Sequence, residues 1–265
     1  MNIVVTGGTG FIGHALVAEL ARAGHDVAVL SRKPRPGLGP VRYVEWDARS
    51  LGPWQETIAA ADAVVNLAGE PIGEGRWTNA RKRILVESRT LATRLLVEAA
   101  ANRSRPLPLL ISASGIGYYG AQDDRFVDER SPLGEGFLAE LSAAWEAEAL
   151  PASRLGTRVV LMRFGMVLER DGGALPKMML PFHLFAGGPV LPGTQWISWI
   201  HRADLVGLIQ WAIDVPDLSG PVNAVAPEPV TMNVFCDTLG KVLHRPSWLP
   251  VPGLALRLAL GELGT

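Results

Sequence analysis

The chain has 265 residues, of which 48% are apolar and 19% are charged, a composition typical of a globular protein with ample core material. Its 25 basic and 26 acidic side chains nearly cancel, which argues against nucleic acid or a membrane surface as a partner. One cysteine, Cys236, excludes an internal disulfide, and neither a membrane span nor a signal peptide is evident, so we expect a cytoplasmic protein without a metal site.

The chain opens with a strand, a glycine-rich turn and a helix. Ile3 to Val5 is a β-branched run, and the apolar residues after the turn recur at helical spacing until Gly24, which is well placed to end the helix. Gly7 permits a tight turn, Gly10 lets the backbone approach a pyrophosphate, and Gly13 lets the helix pack on the strand. The helix N-terminus adds unpaired N–H groups that suit phosphate. The nucleotide site predicted in this segment comprises Gly7, Gly10, Phe11, Ile12 and Gly13.

Strands and helices alternate through the first half of the chain. Short apolar runs bounded by turn residues are typical of buried strands, and longer segments with helical spacing separate them. Further strands are predicted at 26–30, 41–46, 63–67, 109–112 and 158–163, and helices at 81–101 and 137–149. This alternation favours an α/β fold with a doubly wound parallel Rossmann sheet, whose ligands gather at the carboxyl ends of the strands.

The pattern changes near Gly165. Glycine and proline crowd the next segment together with large apolar residues, which favours a loop-rich lobe over the nucleotide site. A helix at 203–213, a strand at 222–225 and a helix at 232–243 are predicted after it. We therefore assign residues 1–165 and about 201–226 to a dinucleotide-binding Rossmann domain, and residues about 166–200 and 227–265 to a small C-terminal substrate lobe.

The residues after the second strand indicate which nucleotide binds. In an NAD site, an acidic side chain about 20 residues past the glycines binds the ribose 2′-hydroxyl. Here Ser31 and Arg32 end that strand, whereas Asp26 lies at its opposite end. A hydroxyl and a guanidinium suit a 2′-phosphate, so we predict NADP, with NADPH as its reduced form. A basic loop exposed to solvent is the alternative.

Two more segments lie at the same edge of the predicted sheet. Asp47 follows the third strand, where it either reaches the adenine or is an exposed loop aspartate. Leu67, Ala68 and Gly69 end the fourth strand, and bulk at the alanine and glycine positions would collide with a dinucleotide. An ordinary strand-to-loop turn is the alternative for this segment.

Blocks along the whole chain resemble one family. They include T-G-G-T-G-F-I-G at 6–13, N-L-A-G-E-P-I at 66–72, S-A-S-G-I-G-Y-Y-G at 112–120, R-F-G-M-V-L at 163–168 and W-I-H-R-A-D-L at 199–205. Together they resemble the atypical extended short-chain dehydrogenases/reductases, specifically the YfcH-like NAD(P)-dependent epimerase family. The resemblance implies a Rossmann domain with a small substrate lobe, and NADP contacts at Ser31, Arg32, Leu67, Ala68 and Arg89. Family members usually continue beyond the segment that matches Leu254 to Glu262, so we expect a shortened C-terminus here.

Active members of that superfamily carry a Tyr-x-x-x-Lys pair, in which the lysine lowers the pKa of the tyrosine that acts as acid or base. Phe137 and Leu141 occupy the expected positions here, and neither can transfer a proton. Ser114, beyond the fifth strand, and Tyr118 and Tyr119 shortly after it are the predicted catalytic substitutes. A turn serine and aromatic packing are their alternative roles. An unactivated phenol also needs a nearby cation, for which the candidates are Arg163, Lys177 and Arg89.

The predicted substrate pocket lies where the chain returns from the lobe to the sheet. His201 opens the returning helix, where it either binds substrate, shuttles a proton or holds a loop by hydrogen bonds. Trp199 either floors the pocket or packs in the core. Gly187 and Gly188 would let a loop approach a ligand closely.

Two functions follow from these observations. The first is an NADP-dependent enzyme, either an oxidoreductase or a nucleotide-sugar epimerase, acting on a small substrate with a hydroxyl or carbonyl group by hydride transfer at the nicotinamide. The second is an NADP(H)-binding sensor or scaffold that lost its chemistry together with the Tyr–Lys pair. The expected partner is a small molecule, and the protein is expected to be either a monomer or a homodimer.

Overall fold

The structure of the chain is a computed structural model that describes residues 1–33 and 35–251. Pro34 and residues 252–265, which include the predicted end of the lobe and Leu254 to Glu262, lie outside the described residues. The strands are β1 (Asn2–Thr6), β2 (Asp26–Ser31), β3 (Val41–Glu45), β4 (Ala63–Asn66), β5 (Leu109–Gly115), β6 (Arg158–Phe164), β7 (Met166–Glu169), β8 (Gly172–Gly173), β9 (Trp196–Ile197), β10 (Trp199–His201), β11 (Gly220–Ala224) and β12 (Val230–Thr231). The helices are α1 (Phe11–Arg22), α2 (Gln55–Ala59), α3 (Asn79–Ala101), α4 (Phe137–Ala149), α5 (Leu175–His183), α6 (Arg202–Asp214) and α7 (Met232–Leu243).

Seven strands form one parallel sheet in the order β11–β6–β5–β4–β1–β2–β3. The chain moves outward from β1 through β2 and β3, and then crosses to β4 on the other side of β1. This reversal of strand order opens a crevice at the carboxyl ends of β1 and β4, where such sheets bind their ligands. The α/β Rossmann fold predicted from the sequence is confirmed.

Helices cover both faces of the sheet, as the unbroken apolar runs of its strands require. In β1, successive side chains point to opposite faces: Ile3 and Val5 pack in the cluster formed with α1 and α6, and Val4 packs in the cluster formed with α2 and α3. Leu16 of α1 and Leu96 of α3 are fully or almost fully buried on these two faces. The two apolar layers fix the crevice between rigid elements.

The segment after β6 carries short strands and two helices around a core of its own. A three-stranded sheet has the order β10–β7–β8, β12 pairs antiparallel with β9, and Phe182, Ile197 and Phe235 pack between α5 and α7. Helix α5 was not predicted because Pro176 and Pro181 interrupt its pattern, although a proline in the first turn costs no hydrogen bond. The chain then returns through α6 to β11, which extends the main sheet beside β6.

Two local differences from the sequence prediction bear on the site. Strand β5 continues to Gly115, past its predicted end at 112, so Ser114 lies in the sheet next to β6. A short 3-10 helix at Ile116–Tyr119 then carries both predicted tyrosines directly onto the carboxyl edge of the sheet. No helix in the described ranges is long and apolar enough to cross a membrane.

Candidate cofactor and substrate site

The turn between β1 and α1 is so tight that Gly7 and Gly13 have no substitute. Gly7 has a φ of +65°, and a Cβ there would lie 2.5 Å from the carbonyl oxygen of Leu67. A Cβ on Gly13 would lie 2.2 Å from the carbonyl oxygen of Gly7. Gly10 precedes α1 and donates its N–H to that same oxygen at 2.9 Å. The N–H groups of the first turn of α1 are therefore directed at the crevice, in the geometry that binds a pyrophosphate.

Phe11 and Ile12, the other predicted residues of this turn, have different surroundings. The ring of Phe11 packs on the backbone of Gly172 and Gly173 in the β8 hairpin. The Arg202 guanidinium carbon lies 4.9 Å from the centroid of that ring. Ile12 packs against the apolar cluster between the sheet and α6. Phe11 therefore packs the turn against the β8 hairpin and Arg202.

A buried hydrogen-bond network holds the loop after β4. The Thr6 hydroxyl donates to Asn66 Oδ1 at 2.7 Å and accepts from the N–H groups of Leu67 and Ala68 at 3.1 and 3.2 Å. Asn66 Nδ2 donates to the Thr93 hydroxyl on α3 at 2.8 Å. Buried side-chain networks of this kind rigidify the backbone that they contact. The network fixes the segment 67–69 at the edge of the crevice, where the sequence predicted the cofactor.

Arg89 lies beneath that segment and is buried. Its Nη1 and Nη2 donate to the carbonyl oxygens of Leu85 and Glu70, each at 2.9 Å, and its guanidinium carbon lies 5.0 Å from the Trp145 ring centroid. Burial lowers the pKa of Arg89 to about 10, which still leaves it charged at neutral pH. Its Nε has no hydrogen-bond partner among the described residues, and a Cβ on Gly69 would lie 3.0 Å from its Cζ.

The Cβ position of Gly69 is filled by the Arg89 side chain, so this glycine lets the guanidinium pack closely under the loop. A cation held under the loop, together with the glycine turn and the N-terminus of α1, fits the negative charge of a bound dinucleotide. The guanidinium is covered by the loop rather than exposed, so Arg89 also supports the backbone of the loop.

The end of β2 carries Ser31 and Arg32, the predicted 2′-phosphate ligands. The Ser31 hydroxyl is part of a turn, since it accepts from the N–H of Lys33 at 3.3 Å and donates to the carbonyl oxygen of the same residue at 3.1 Å. The Arg32 side chain is exposed, with Nη1 3.6 Å from Glu70 Oε1. Arg81 Nη1 lies 3.3 Å from the other oxygen of Glu70. A cationic cluster with one carboxylate in it thus faces the crevice.

Asp47, the predicted adenine contact, is exposed and closes a turn after β3. Its Oδ1 accepts from the N–H groups of Arg49 and Ser50 at 2.8 and 3.0 Å, and its Oδ2 accepts from the Ser50 hydroxyl at 2.7 Å. These hydrogen bonds lower the pKa of Asp47. The turn accounts for the aspartate, and contact with adenine stays a prediction.

On the other side of the crevice, β5, β6 and α4 meet around a buried ion pair. Arg163 of β6 forms a bidentate bridge with Glu146 of α4, with Nε to Oε1 and Nη2 to Oε2 both at 2.8 Å. The Ser114 hydroxyl donates to the same Oε1 at 2.7 Å. All three side chains are at most 7% exposed. Burial alone would lower the pKa of Arg163, but the hydrogen bonds to Glu146 and Tyr119 together outweigh it and raise the pKa, so the guanidinium stays charged.

Both predicted tyrosines contact Arg163, but in different ways. The buried Tyr119 hydroxyl donates to Asn223 Oδ1 at 2.6 Å and accepts from Arg163 Nη1 at 2.9 Å. Its burial raises its pKa, and the nearby guanidinium opposes this only in part. Tyr118 is half-buried, and the Arg163 guanidinium carbon lies 3.5 Å from the centroid of its ring. Lys177, another candidate cation, donates to the carbonyl oxygen of Gly73 at 3.0 Å.

The positions that a Tyr-x-x-x-Lys pair would occupy belong to an apolar cluster. Leu141 is buried with Trp77 and Leu85, and Phe137 packs edge-on against Trp77 with ring centroids 5.1 Å apart. The cluster joins α3, α4 and the loop after β4. Helix α4 therefore keeps its packing at the site without a side chain that transfers protons at these two positions.

The two predicted pocket glycines lie close to other parts of the lobe. A Cβ on Gly187 would lie 2.3 Å from Phe182 Cδ1, and one on Gly188 would lie 2.1 Å from the carbonyl oxygen of Leu249. Such distances are far below van der Waals contact, so both glycines are required for packing within the lobe. Their role toward a substrate stays a prediction.

The other two predicted substrate residues also have partners within the protein. Trp199 Nε1 donates to the carbonyl oxygen of Glu228 at 3.1 Å. His201 caps α6, since its Nδ1 accepts from the N–H of Ala203 at 3.2 Å, while its Nε2 lies 3.5 Å from Glu169 Oε2. These contacts correspond to the alternative in which the histidine holds a loop, and contact with substrate stays a prediction for both residues.

Sequence reasoning missed four side chains that shape the site. Thr6 and Asn66 hold the loop after β4, and Glu146 and Asn223 hold the residues around Arg163. Thr6 stands directly before the glycine turn, so its position carried a usable signal. Glu146 gave no signal, because its partners are 32 and 17 residues away along the chain.

The parallel sheet and the glycine turn at its reversal point define a dinucleotide-binding α/β protein of the Rossmann type. Comparison with known proteins makes this assignment specific. The sequence profile of the NAD dependent epimerase/dehydratase family matches residues 3–225. The chain belongs to this family, and the resemblance to atypical extended short-chain dehydrogenases/reductases is confirmed.

Two relatives align with nearly the whole chain. The chloroplastic epimerase family protein SDR39U1 homolog of Arabidopsis thaliana is 42% identical over 279 residues, covering 100% of this chain and 77% of that protein. The epimerase family protein YfhF of Bacillus subtilis (strain 168) is 41% identical over 265 residues, covering 99% and 86%.

Two solved structures share both fold and sequence with this chain. Human epimerase family protein SDR39U1 (isoform 2), solved with NADPH, has a TM-score of 0.87 and 38% identity, covering 99% of this chain and 86% of that one. The nucleoside-diphosphate sugar epimerase from Corynebacterium glutamicum has a TM-score of 0.77 and 36% identity, covering 99% and 56%. Similarity of this degree supports binding of a nicotinamide dinucleotide at the crevice.

Proposed function

We propose that this protein is an NADP(H)-dependent oxidoreductase that acts on a small substrate with a carbonyl or hydroxyl group. The observation that carries the proposal is the crevice itself, where the glycine turn, the loop held by Arg89 and the basic end of β2 lie at the carboxyl ends of neighbouring strands. The NADPH in the human relative supports the choice of cofactor. The other enzyme that we propose for this crevice is a nucleotide-sugar epimerase, the activity named for the Corynebacterium glutamicum relative. It requires in addition that the cofactor be retained between turnovers.

Each part of the crevice has a distinct task in this proposal. The turn 7–13 holds the pyrophosphate, Ser31 and Arg32 hold the 2′-phosphate, and the loop 67–69 lies along the dinucleotide. NADPH, when bound, supplies the hydride. The protein contributes the binding, the orientation and the proton.

Tyr118 is the proposed proton donor. Its half-buried ring lies on the Arg163 guanidinium, which stabilises the negative charge left when the phenol gives its proton to a carbonyl oxygen. The buried Tyr119 supports this choice, because its hydroxyl already donates to Asn223 and accepts from Arg163. Tyr119 is therefore a positioning residue in this proposal.

Ser114 is proposed to orient the substrate. Its hydroxyl proton points at Glu146, which leaves the oxygen lone pairs as acceptors. A substrate or product hydroxyl can donate to that oxygen, whereas a carbonyl oxygen cannot be bound by it. The serine therefore contacts the alcohol form and leaves protonation of the carbonyl form to Tyr118.

The test is consumption of NADPH with a panel of small carbonyl compounds, followed by cofactor absorbance. We expect turnover in the wild type and a loss in kcat of at least about a hundredfold in Tyr118→Phe, the range for a lost general acid. Tyr43→Phe makes the same chemical change on β3, away from the site, and should leave kcat unchanged. Unchanged turnover in Tyr118→Phe would contradict the assignment of the proton donor.

Cofactor preference is tested separately, by titrating NADPH and NADH into the wild type and Arg32→Ala. We expect the variant to bind NADPH about tenfold more weakly and NADH as before, because only NADPH carries the phosphate. Equal losses for both cofactors would contradict a 2′-phosphate contact at Arg32.

A second function, an NADP(H)-binding sensor or scaffold, is favoured by one observation. Phe137 and Leu141 belong to a packed apolar cluster, so the two positions of the usual catalytic pair are used for packing and carry no acid or base. A sensor would bind NADPH and gain thermal stability from it. It would show no turnover across the carbonyl panel, and Tyr118→Phe would leave its cofactor affinity intact.

The location and assembly of the protein are also proposals. We propose a cytoplasmic protein, as its single cysteine suggests, although one relative is named as chloroplastic. Sedimentation at several protein concentrations distinguishes the proposed monomer from the proposed homodimer.

A further inference from the structure

Glu70 places a carboxylate inside the cationic cluster at the mouth of the crevice. Its Oε1 lies 3.6 Å from Arg32 Nη1, and its Oε2 lies 3.3 Å from Arg81 Nη1. The glycine turn does not require this side chain, and no step of the proposed reaction uses it. A negative charge at this point opposes the binding of a phosphate.

The backbone of Glu70 is fixed from both sides by α3. Its N–H donates to the Ser88 hydroxyl at 3.1 Å, and its carbonyl oxygen accepts from Arg89 Nη2 at 2.9 Å. The carboxylate is therefore anchored beside the arginines, and only the side chain itself is free to shift.

The two arginines that share Glu70 are not equivalent. The Arg32 side chain is 75% exposed, so it can turn from one partner to another at little cost in packing. The Arg81 side chain is only 18% exposed, and its Nη2 is anchored on the carbonyl oxygen of Pro71 at 2.7 Å. Arg81 is thus the permanent partner of Glu70, and Arg32 is the partner that can be exchanged.

We propose that Glu70 is the resident counter-ion that a 2′-phosphate displaces from Arg32, and that Glu70 thereby limits the affinity for NADP(H) but not for NAD(H). The inference rests on the proposed NADP(H) site. A phosphate on Arg32 lies within a Debye length, about 8 Å, of the Glu70 carboxylate, so the two anions repel each other. After the exchange the carboxylate stays paired with Arg81, which makes the displacement reversible.

The consequence concerns cofactor exchange. An oxidoreductase must release its oxidised cofactor in every turnover, whereas an epimerase regenerates the cofactor in place. A built-in competitor for the phosphate-binding arginine shortens the residence time of NADP(H). Glu70 therefore favours the oxidoreductase over the epimerase as the function of this crevice.

The test is the titration of NADPH and NADH into Glu70→Gln, which keeps the shape of the side chain and removes its charge. We expect the Kd for NADPH to fall by about three- to tenfold at low salt, and the Kd for NADH to stay within about twofold. The gain should shrink as salt is raised. Glu74→Gln, which removes the same charge from an exposed position in the same loop, should change neither Kd beyond about twofold.

A second variant tests the partner exchange. Arg81→Gln leaves Glu70 with Arg32 alone, so we expect NADPH to bind more weakly, by about threefold or more. In the Glu70→Gln background the same change should have no such effect. The double-variant design separates the exchange from any general loss of positive charge.

The outcomes are distinguishable from those of the proposed function. A wild type that prefers NADPH through Arg32, together with a Glu70→Gln variant that binds NADPH no better or binds both cofactors better, overturns this inference alone. A wild type in which Arg32→Ala has no selective effect on NADPH overturns the proposed cofactor site, and this inference with it.

Discussion

The two sides of the crevice are held by different kinds of interaction. On the cofactor side, the geometry comes from glycines within one short turn and from hydrogen bonds that the Thr6 hydroxyl accepts from the loop after β4. On the reaction side, it comes from a buried ion pair, Glu146 with Arg163, whose members lie on different elements. Steric restriction in a turn acts locally, whereas the energetic cost of a buried charge depends on every group around it.

This difference explains how the protein keeps one side and departs from its superfamily on the other. The cofactor side retains the pattern of a Rossmann dinucleotide site. On the reaction side, Phe137 and Leu141 have become apolar, yet Glu146, about 1.4 turns beyond Leu141 in α4, still holds Ser114 and Arg163. The chemistry at the start of α4 can change because the ion pair in its last turn fixes the helix against the sheet.

The largest effect is expected from breaking the buried ion pair. Glu146→Gln leaves the Arg163 guanidinium buried without a counter-charge, which typically costs about 3–5 kcal/mol in the free energy of unfolding. Denaturation in urea measures this cost. Glu148→Gln is the matched control, because Glu148 lies on the same helix and pairs with Arg94 at the surface. The control should cost at most about 1 kcal/mol.

A double variant sharpens the same comparison. Glu146→Met combined with Arg163→Met removes both charges, so we expect it to recover much of the stability that Glu146→Gln loses. Ser114 would then lose its partner Glu146, and Tyr119 would lose its partner Arg163, so we expect the double variant to have no turnover. Equal destabilisation by Glu146→Gln and Glu148→Gln would show that the reaction side does not depend on the buried charge.

An intermediate effect is expected on the cofactor side. Gly13→Ala places a methyl group 2.2 Å from the carbonyl oxygen of Gly7, and forced overpacking of this kind costs about 1–3 kcal/mol. The shift it imposes on the turn should also abolish NADPH binding. Gly207→Ala is the control, since nothing lies within 4 Å of its Cβ position in α6. That variant should gain about 0.5–1 kcal/mol from helix propensity.

The prediction for Gly13→Ala is tested by measuring both its affinity for NADPH and its stability. If Gly13→Ala bound NADPH like the wild type, the turn would not form the pyrophosphate site. Calorimetric titration gives the affinity, and the urea midpoint of the same preparation gives the stability.

The same contrast determined what the sequence could predict. The sheet and the glycine turn were predictable because Ile3 to Val5, Gly7 and Gly13 act within a few residues of each other. Helix α4 was predicted at its observed bounds, Phe137–Ala149, from its spacing alone. The roles of Glu146 and Asn223 were not predictable, because each meets its partners only after β5, β6 and β11 pair in the sheet.

The lobe shows a second limit on what could be predicted from the sequence. Helix α5 and the short strands around it carry no clean periodicity, and Pro181 together with the glycines of this segment suggested loops where a helix forms. The glycines at 187 and 188 were predicted to let a loop approach a ligand closely, and in the structure their close neighbours are Phe182 and Leu249 of the lobe. A glycine signal thus indicates that something lies close, and only the structure identifies what it is.

The smallest effect is expected from Tyr119→Phe. The variant removes the hydroxyl that bridges Asn223 and Arg163, which should lower the free energy of unfolding by about 1–2 kcal/mol. Tyr43→Phe on β3 is the control for the loss of a phenol. NADPH affinity should stay within about twofold of the wild type, because Tyr119 belongs to the reaction side.

The difference in unfolding free energy between the wild type and Tyr119→Phe should depend on pH. Burial raises the pKa of folded Tyr119 above its ordinary value of 10, so the folded state holds its proton where the unfolded chain has lost it. The contribution of the phenol is therefore fully present below about pH 10 and declines as pH rises from there through the folded pKa. The gap in unfolding free energy between the wild type and Tyr119→Phe should be constant from neutral pH to about pH 9 and narrow above pH 10. A gap that widened there would mean that Arg163 stabilises the phenolate more than burial disfavours it, and Tyr119 would then become the better candidate for proton transfer.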